Sequence, residues 1–174
     1  MNYDYRPKRQ NYKAQTTVTL LILLSGAFLG LSGFLPLYSV IWQSVGLLLL
    51  LPAIQLVSRY MVSRYLYRLH TDEEGSAELE IFVYRGGAKM QMVFCAQLGE
   101  ITAQAPLTPK NAHPENGCKR YNYAQDMRPQ KATVLSVSRA DGACEVLFCP
   151  DEYLTRAIAD AIAARSAAQA SGDQ

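Results

Sequence analysis

Residues 47–68 read LLLLLPAIQLVSRYMVSRYLYR. An oily run stops at Ser58, and Arg59, Arg64 and Arg68 then interleave with Tyr60, Tyr65 and Tyr67. Upstream the run is unbroken: the forty-five residues from Ala14 to Ser58 contain no Asp, Glu, Lys, Arg or His. Of the chain's 174 residues 49% are apolar, an ordinary share, but this clustering is a membrane composition. A single helix of that length would reach about 67 Å, more than twice a hydrocarbon core of about 30 Å. The run must therefore double back. Pro36, in Phe34-Leu35-Pro36-Leu37-Tyr38, has no N–H and disfavours helix at the residue before it. The pattern predicts spans at Thr17–Leu35 and Ser39–Val57, a transmembrane hairpin over 14–58. Pro52 predicts a kink or local irregularity in the second span, which a neighbouring helix can satisfy.

The flanks set an orientation. Arg6, Lys8, Arg9 and Lys13 precede the first span against Asp4 alone, and Arg59, Arg64 and Arg68 follow the second with no acid before Asp72. Basic residues stay on the cytoplasmic side, so both termini are expected in the cytoplasm of a plasma (inner) membrane protein. Arg59, Tyr60 and Arg64 are expected at the near interface, the rings at headgroup depth and the guanidinium groups near anionic lipid. Tyr38 and Trp42 fall near the turn and suit the far interface. A cleaved signal peptide is disfavoured by the length of the apolar segment and the second span behind it.

Gly26 and Gly30 lie four apart in the first span, with Gly33 a further turn along. Small residues at this spacing let helix backbones approach closely in lipid. Packing within the hairpin, at Gly46 and Ser44, is the favoured use; a homo-oligomer or a larger membrane partner is the other.

Beyond Leu69 the apolar period changes to that of strands. Arg64–His70 reads as a strand, followed by a turn at Asp72-Glu73-Glu74-Gly75. Ala77, Leu79, Ile81 and Val83 form one apolar strand face with Glu78 and Glu80 opposite. A turn at Arg85-Gly86-Gly87-Ala88 leads to a return strand with Met90, Met92, Phe94 and Ala96 on one side. Further strands are expected near 100–104 and 120–125, the second after a Pro- and Asn-rich loop with a tight turn at Asn116-Gly117. A final hairpin about Asp141-Gly142 puts Cys144, Val146 and Phe148 on one face. Pro150-Asp151-Glu152 then starts a helix whose apolar stripe is Leu154, Ala157, Ile158, Ala161 and Ile162. The organisation is thus a basic cytoplasmic arm at 1–13, the hairpin, a cytoplasmic domain at 59–166, and a small polar tail at 167–174 expected to fray.

About seven antiparallel strands closed by a C-terminal helix resemble a pleckstrin-homology-like (PH-like) sandwich or partly open barrel. The chain resembles small bacterial membrane proteins in which a two-helix hairpin precedes a PH-like domain. The likeness is carried by Arg64-Tyr65-Leu66-Tyr67, by VFCAQLGEI at 93–101 and by YNYAQDMRP at 121–129, and extends over about residues 14–165. It implies an α+β membrane protein with no enzyme activity. Fold likeness alone does not name a ligand.

Site chemistry is sparse. Cys95, Cys118, Cys144 and Cys149 are expected to be reduced cytosolic thiols. Cys118 and His113 share the polar loop and form the one pair suited to thiol or metal chemistry, yet two ligands fall short of the three or four zinc commonly uses. His70 reads as a surface residue, Glu73, Glu74, Glu78 and Glu80 as solvated faces. Gly86-Gly87 has no phosphate-loop context. No cofactor is expected. Residues 69–174 carry ten Lys/Arg against fourteen Asp/Glu, a net of −4, which argues against nucleic acid. The expected function is a noncatalytic, membrane-anchored interaction or scaffolding module, with lipid and a protein partner or second copy as its contacts. The alternatives are a small thiol-dependent enzyme or redox sensor using Cys118 and His113, and an accessory subunit of a transporter or envelope complex.

Overall fold

The computed structural model describes the chain except for residues 1, 9–11, 36–37, 72–75, 87–88, 115–116, 128, 130, 141 and 173–174, and the side chains of 168–172. The expected turn at 72–75 lies outside the described residues, as do Pro36, Gly87, Ala88, Asn116 and Asp141. Two compact units are present. One comprises residues 9–64 with 126–128; the other comprises 1–8, 65–125 and 129–174.

The first unit is a helical hairpin. Helix α1 spans Tyr12–Phe34 and α2 spans Ser39–Leu56, and both are long and apolar enough to cross a membrane. Helix α1 begins five residues before the expected Thr17. Helix α2 runs through Pro52, and a wider π-helical turn follows at Val57–Val62. The buried residues of α1 are Ala14, Val18 and Ser25; those of α2 are Gly46 and Ala53. Ser25 Oγ donates to the Gly46 carbonyl at 2.7 Å. A Cβ added to Gly46 would lie 2.9 Å from Leu29 Cγ and 3.2 Å from the Ser25 carbonyl oxygen. This is where the helices close.

Gly26, Gly30 and Gly33 sit elsewhere. Gly26 follows Ser25 in sequence and is turned from it by about 100° around the axis, and a Cβ on any of the three meets nothing within 4 Å. The hairpin therefore closes through Ser25 and Gly46, not through the three glycines. Ser44 is also outside the seam, its hydroxyl donating back to Val40 O at 2.8 Å. Gly46→Leu is expected to destabilise the hairpin by about 1–3 kcal/mol through overpacking, while Gly30→Leu leaves it unchanged. Thermal unfolding in detergent, followed by helical circular dichroism, separates the two.

The second unit is β-rich. A meander of β1 (Asn2–Tyr5), β2 (Ser63–Thr71), β3 (Ala77–Arg85) and β4 (Gln91–Gln97) forms one four-stranded sheet. The other sheet contains β5 (Ile101–Pro106), β6 (Lys119–Asn122), β7 (Thr133–Arg139) and β8 (Gly142–Phe148) in the order β5-β7-β8-β6. Helix α3 (Glu152–Gly172) packs on β5 and on the short turn Leu98–Glu100. Leu79, Ile81, Val146, Phe148, Leu154 and Ile158 join one core, so the strand faces and helix stripe expected there are present. Asp151 caps α3, accepting the Leu154 N–H at 3.0 Å. The helix continues through Gly172, past the expected boundary at 166.

Three features differ from the expected sandwich. First, the N-terminal arm contains a strand: Asn2–Tyr5 pairs antiparallel with β2 in the register Asn2↔His70 to Tyr5↔Tyr67. Arg68 grips Asp4 with Nε and Nη2 at 2.7 and 3.0 Å, and that hydrogen bonding holds the Asp4 carboxyl below its usual range. Second, β6 runs parallel to β8, so this sheet is mixed. Third, a bulge at Val93 sets Ile81 opposite Phe94 but Phe82 opposite Met92. The extra residue reverses the alternation. Phe94 and Ala96 remain in the core, whereas Met90 and Met92 are about half exposed, 49% and 52%.

Tyr3 donates a short hydrogen bond to Asp151, and its ring lies 4.4 Å from that of Tyr153. Chiefly through that bond, the phenol is pushed up from 10.0 to about 12. A group raised on folding stabilises fully below its unfolded value and loses that contribution as pH climbs through the folded one. The contribution of Tyr3 is thus complete below pH 10.0 and disappears on passing about 12. Tyrosinate absorbance should show a late-titrating phenol that Tyr3→Phe removes.

Candidate functional site

The residues beside the hairpin divide into two groups. Arg59 lies over the Tyr60 ring at 5.7 Å, and Arg64 is exposed. Tyr65 and Tyr67 are instead core residues, 5% and 0% exposed. Tyr67 donates to the Tyr123 carbonyl at 2.9 Å, and Gln125 Oε1 accepts the Tyr65 N–H at 3.2 Å. Arg68 is committed to Asp4. Of the six Arg and Tyr residues that follow the oily run, Tyr65, Tyr67 and Arg68 therefore belong to the β-rich unit. At the other end Tyr38 is exposed, but Trp42 stacks on Phe28 with ring centroids 5.5 Å apart. Its indole nitrogen has no hydrogen-bond partner among the described residues.

The loop at 107–118 carries His113 and Cys118. No hydrogen bond joins the Cys118 thiol to the His113 ring among the described residues. His113 contributes its carbonyl to a different device. Arg120 donates Nη1 to the Asn111 and Ala112 carbonyls at 2.9 and 2.8 Å and Nη2 to His113 O at 3.1 Å. It also meets Glu145 Oε2 with Nε at 2.7 Å and Nη2 at 2.5 Å. The pair is largely buried, with side chains 12% and 6% exposed. Arg120 is a latch for the loop, its guanidinium fully engaged.

Cys95 lies directly across from Glu80 and donates to Glu78 Oε2 at 3.8 Å. Ligand atoms of Glu78, Glu80 and Cys95 lie within 4.8 Å of one another. Burial first, then the Glu78 and Glu80 charges, pushes the thiol up, which disfavours thiolate chemistry at neutral pH.

A groove of about 530 Å³ lies between the edges of the two sheets. Met92–Cys95 of β4 form one wall; Lys119, Tyr121 and Tyr123 on or just after β6 form the other, with the β7–β8 hairpin at one end. Strand β4 lies at the edge of its sheet, and from Met90 to Leu98 the sequence has no charged residue. Natural edge strands are normally blunted by charge, proline, a bulge or a covering element; β4 has the bulge at Val93 and no charge. The opposite wall carries the charge. Lys119 Nζ lies 5.0 Å from the Tyr121 ring centre and the Arg139 guanidinium 4.9 Å from that of Phe94. Tyr123 spans the groove, donating its hydroxyl to the Val93 carbonyl at 3.0 Å.

No family model, curated protein or solved structure matches this chain. Geometry is therefore the ground for a functional reading.

The groove escaped sequence reasoning because it depends on which strands are edges and on the bulge at Val93. The one available signal was the run MQMVFCAQL at 90–98, too apolar to be left solvated without purpose.

Proposed function

We propose that the chain is a noncatalytic, membrane-anchored interaction module of PH-like type, its β-rich unit held at the cytoplasmic face and its β4 groove open to a protein partner. The observation that carries this reading is the uncharged, methionine-exposing edge strand facing a groove, in a chain with two helices apolar enough to cross a membrane. Main-chain addition to a sheet edge is a general mode of peptide recognition, and methionine suits an adaptable contact.

The topology is supported by β1. Its pairing with β2 requires residues 2–5 and 67–70 to share one side of any bilayer, and two crossings by α1 and α2 satisfy that. Arg6 and Lys8 before α1 and Lys13 in its first turn, with Arg59 and Arg64 after α2, favour the cytoplasmic side. Two sheets with a C-terminal helix buried through Leu154 and Ile158 are compatible with the PH-like plan; β1 is an addition to it, and the parallel direction of β6 a departure from it.

Gentle-detergent copurification from native membranes tests the module. A recurring partner is expected with the parent chain and is lost with Met92→Lys, which charges the edge. A solitary monomer, or a partner indifferent to Met92→Lys, contradicts it.

A further inference from the structure

We infer that the groove takes an extended, acidic segment of its partner, added as a strand along β4. This rests on the preceding reading and goes further by fixing the occupant's backbone conformation and charge.

The backbone conformation follows from β4. The wall from Met92 to Cys95 would face about 13 Å of added strand. The Val93 carbonyl already accepts a donor from the groove side, the Tyr123 hydroxyl at 3.0 Å. That hydroxyl marks a place where the N–H of an incoming strand can bond once the Tyr123 hydroxyl turns aside, while its ring stays packed on Tyr65, Phe94 and Tyr121. The uncharged stretch from Met90 to Leu98 offers no repulsion to a close main-chain approach.

The charge follows from the facing wall. Lys119 and Arg139 line the groove, and no Asp or Glu does so among the described residues. Arg139 is 3.6 Å from Glu100 and partly neutralised. Lys119 is exposed and stands over Tyr121, which leaves its ammonium presented to an occupant. Glu78 and Glu80 lie beside Cys95 on the outer face of β3 and β4. An acidic side chain is therefore favoured toward Lys119 and repelled from the other side, which fixes the register as well as the sign. Nucleic acid fits poorly, since residues 69–174 carry a net of −4.

The test uses the full chain in neutral-lipid nanodiscs and two short fluorescent peptides, alternating valine–glutamate and valine–lysine, read by anisotropy. The glutamate peptide is expected to bind about tenfold tighter than the lysine peptide. Lys119→Glu is expected to reverse the preference, and hydrogen exchange at residues 91–95 should slow on binding. Equal affinities, a preference unchanged in Lys119→Glu, or complete displacement by inorganic phosphate overturns the inference, the last by revealing a small-anion site. If neither peptide binds while Met92→Lys still abolishes partner copurification, the acidic strand is refuted and the interaction module stands.

Discussion

Arg120→Ala is expected to destabilise the β-rich unit by about 3–5 kcal/mol, the cost of removing one member of a buried ion pair. Glu145 is 4% exposed and would lose the guanidinium it meets at 2.7 and 2.5 Å. The Asn111, Ala112 and His113 carbonyls would lose their guanidinium donor in the same step. The loop at 107–118 should consequently become the first site of proteolysis. Exchanging both residues, Arg120→Met with Glu145→Leu, is expected to recover much of the global stability, because well-packed apolar groups often replace a buried pair without loss. It should not restore loop protection, since Met has no donor for the three carbonyls. Urea unfolding in mild detergent and limited proteolysis measure the two effects. Arg120→Ala within about 0.5 kcal/mol of the parent would show that the latch is not under load.

Asp151→Ala is expected to cost about 2–3 kcal/mol, combining a lost helix cap with a lost side-chain hydrogen bond. One oxygen caps α3 at Leu154; the other receives Tyr3 from the N-terminal strand. The same carboxylate thus ties the chain's first strand to its last helix. Tyr3→Phe removes only the second tie and should cost about 1 kcal/mol. Asp151→Asn should keep most of the cap, since Asn is a comparable N-cap residue. Unfolding midpoints of the three variants rank them. Equal losses in Asp151→Ala and Asp151→Asn would mean that the negative charge, not the cap, supplies the stabilisation.

What the sequence discloses depends on whether a feature is local. The hairpin is legible from absent charge, α3 from its Asp151 cap and its Leu154/Ile158 stripe, and β3 from the alternation of Leu79, Ile81 and Val83. Strand β1 is not legible. Its four residues, NYDY, have no apolar run, and their partner lies about sixty positions downstream at 67–70. The Arg/Tyr cluster misleads for a related reason: Tyr65 and Tyr67 share the composition of Tyr60, but β2 turns them into the core. In β4 the period-two pattern holds for Phe94 and Ala96 and fails at Met90 and Met92, because the bulge at Val93 puts the residues before it on the other face. The meeting of Cys95 with Glu78 and Glu80, like the groove itself, exists only once strand register is set.

The measurement that bears most directly on a membrane-anchored module is thiol accessibility in intact cells. Tyr38→Cys places a thiol at the hairpin turn, while Cys95, Cys118, Cys144 and Cys149 report on the β-rich unit. A membrane-impermeant maleimide added outside is expected to label the Tyr38→Cys chain and to leave the parent chain unlabelled until the cells are opened. Labelling of the parent chain from outside, or a parent chain that stays dissolved without detergent, would contradict the account.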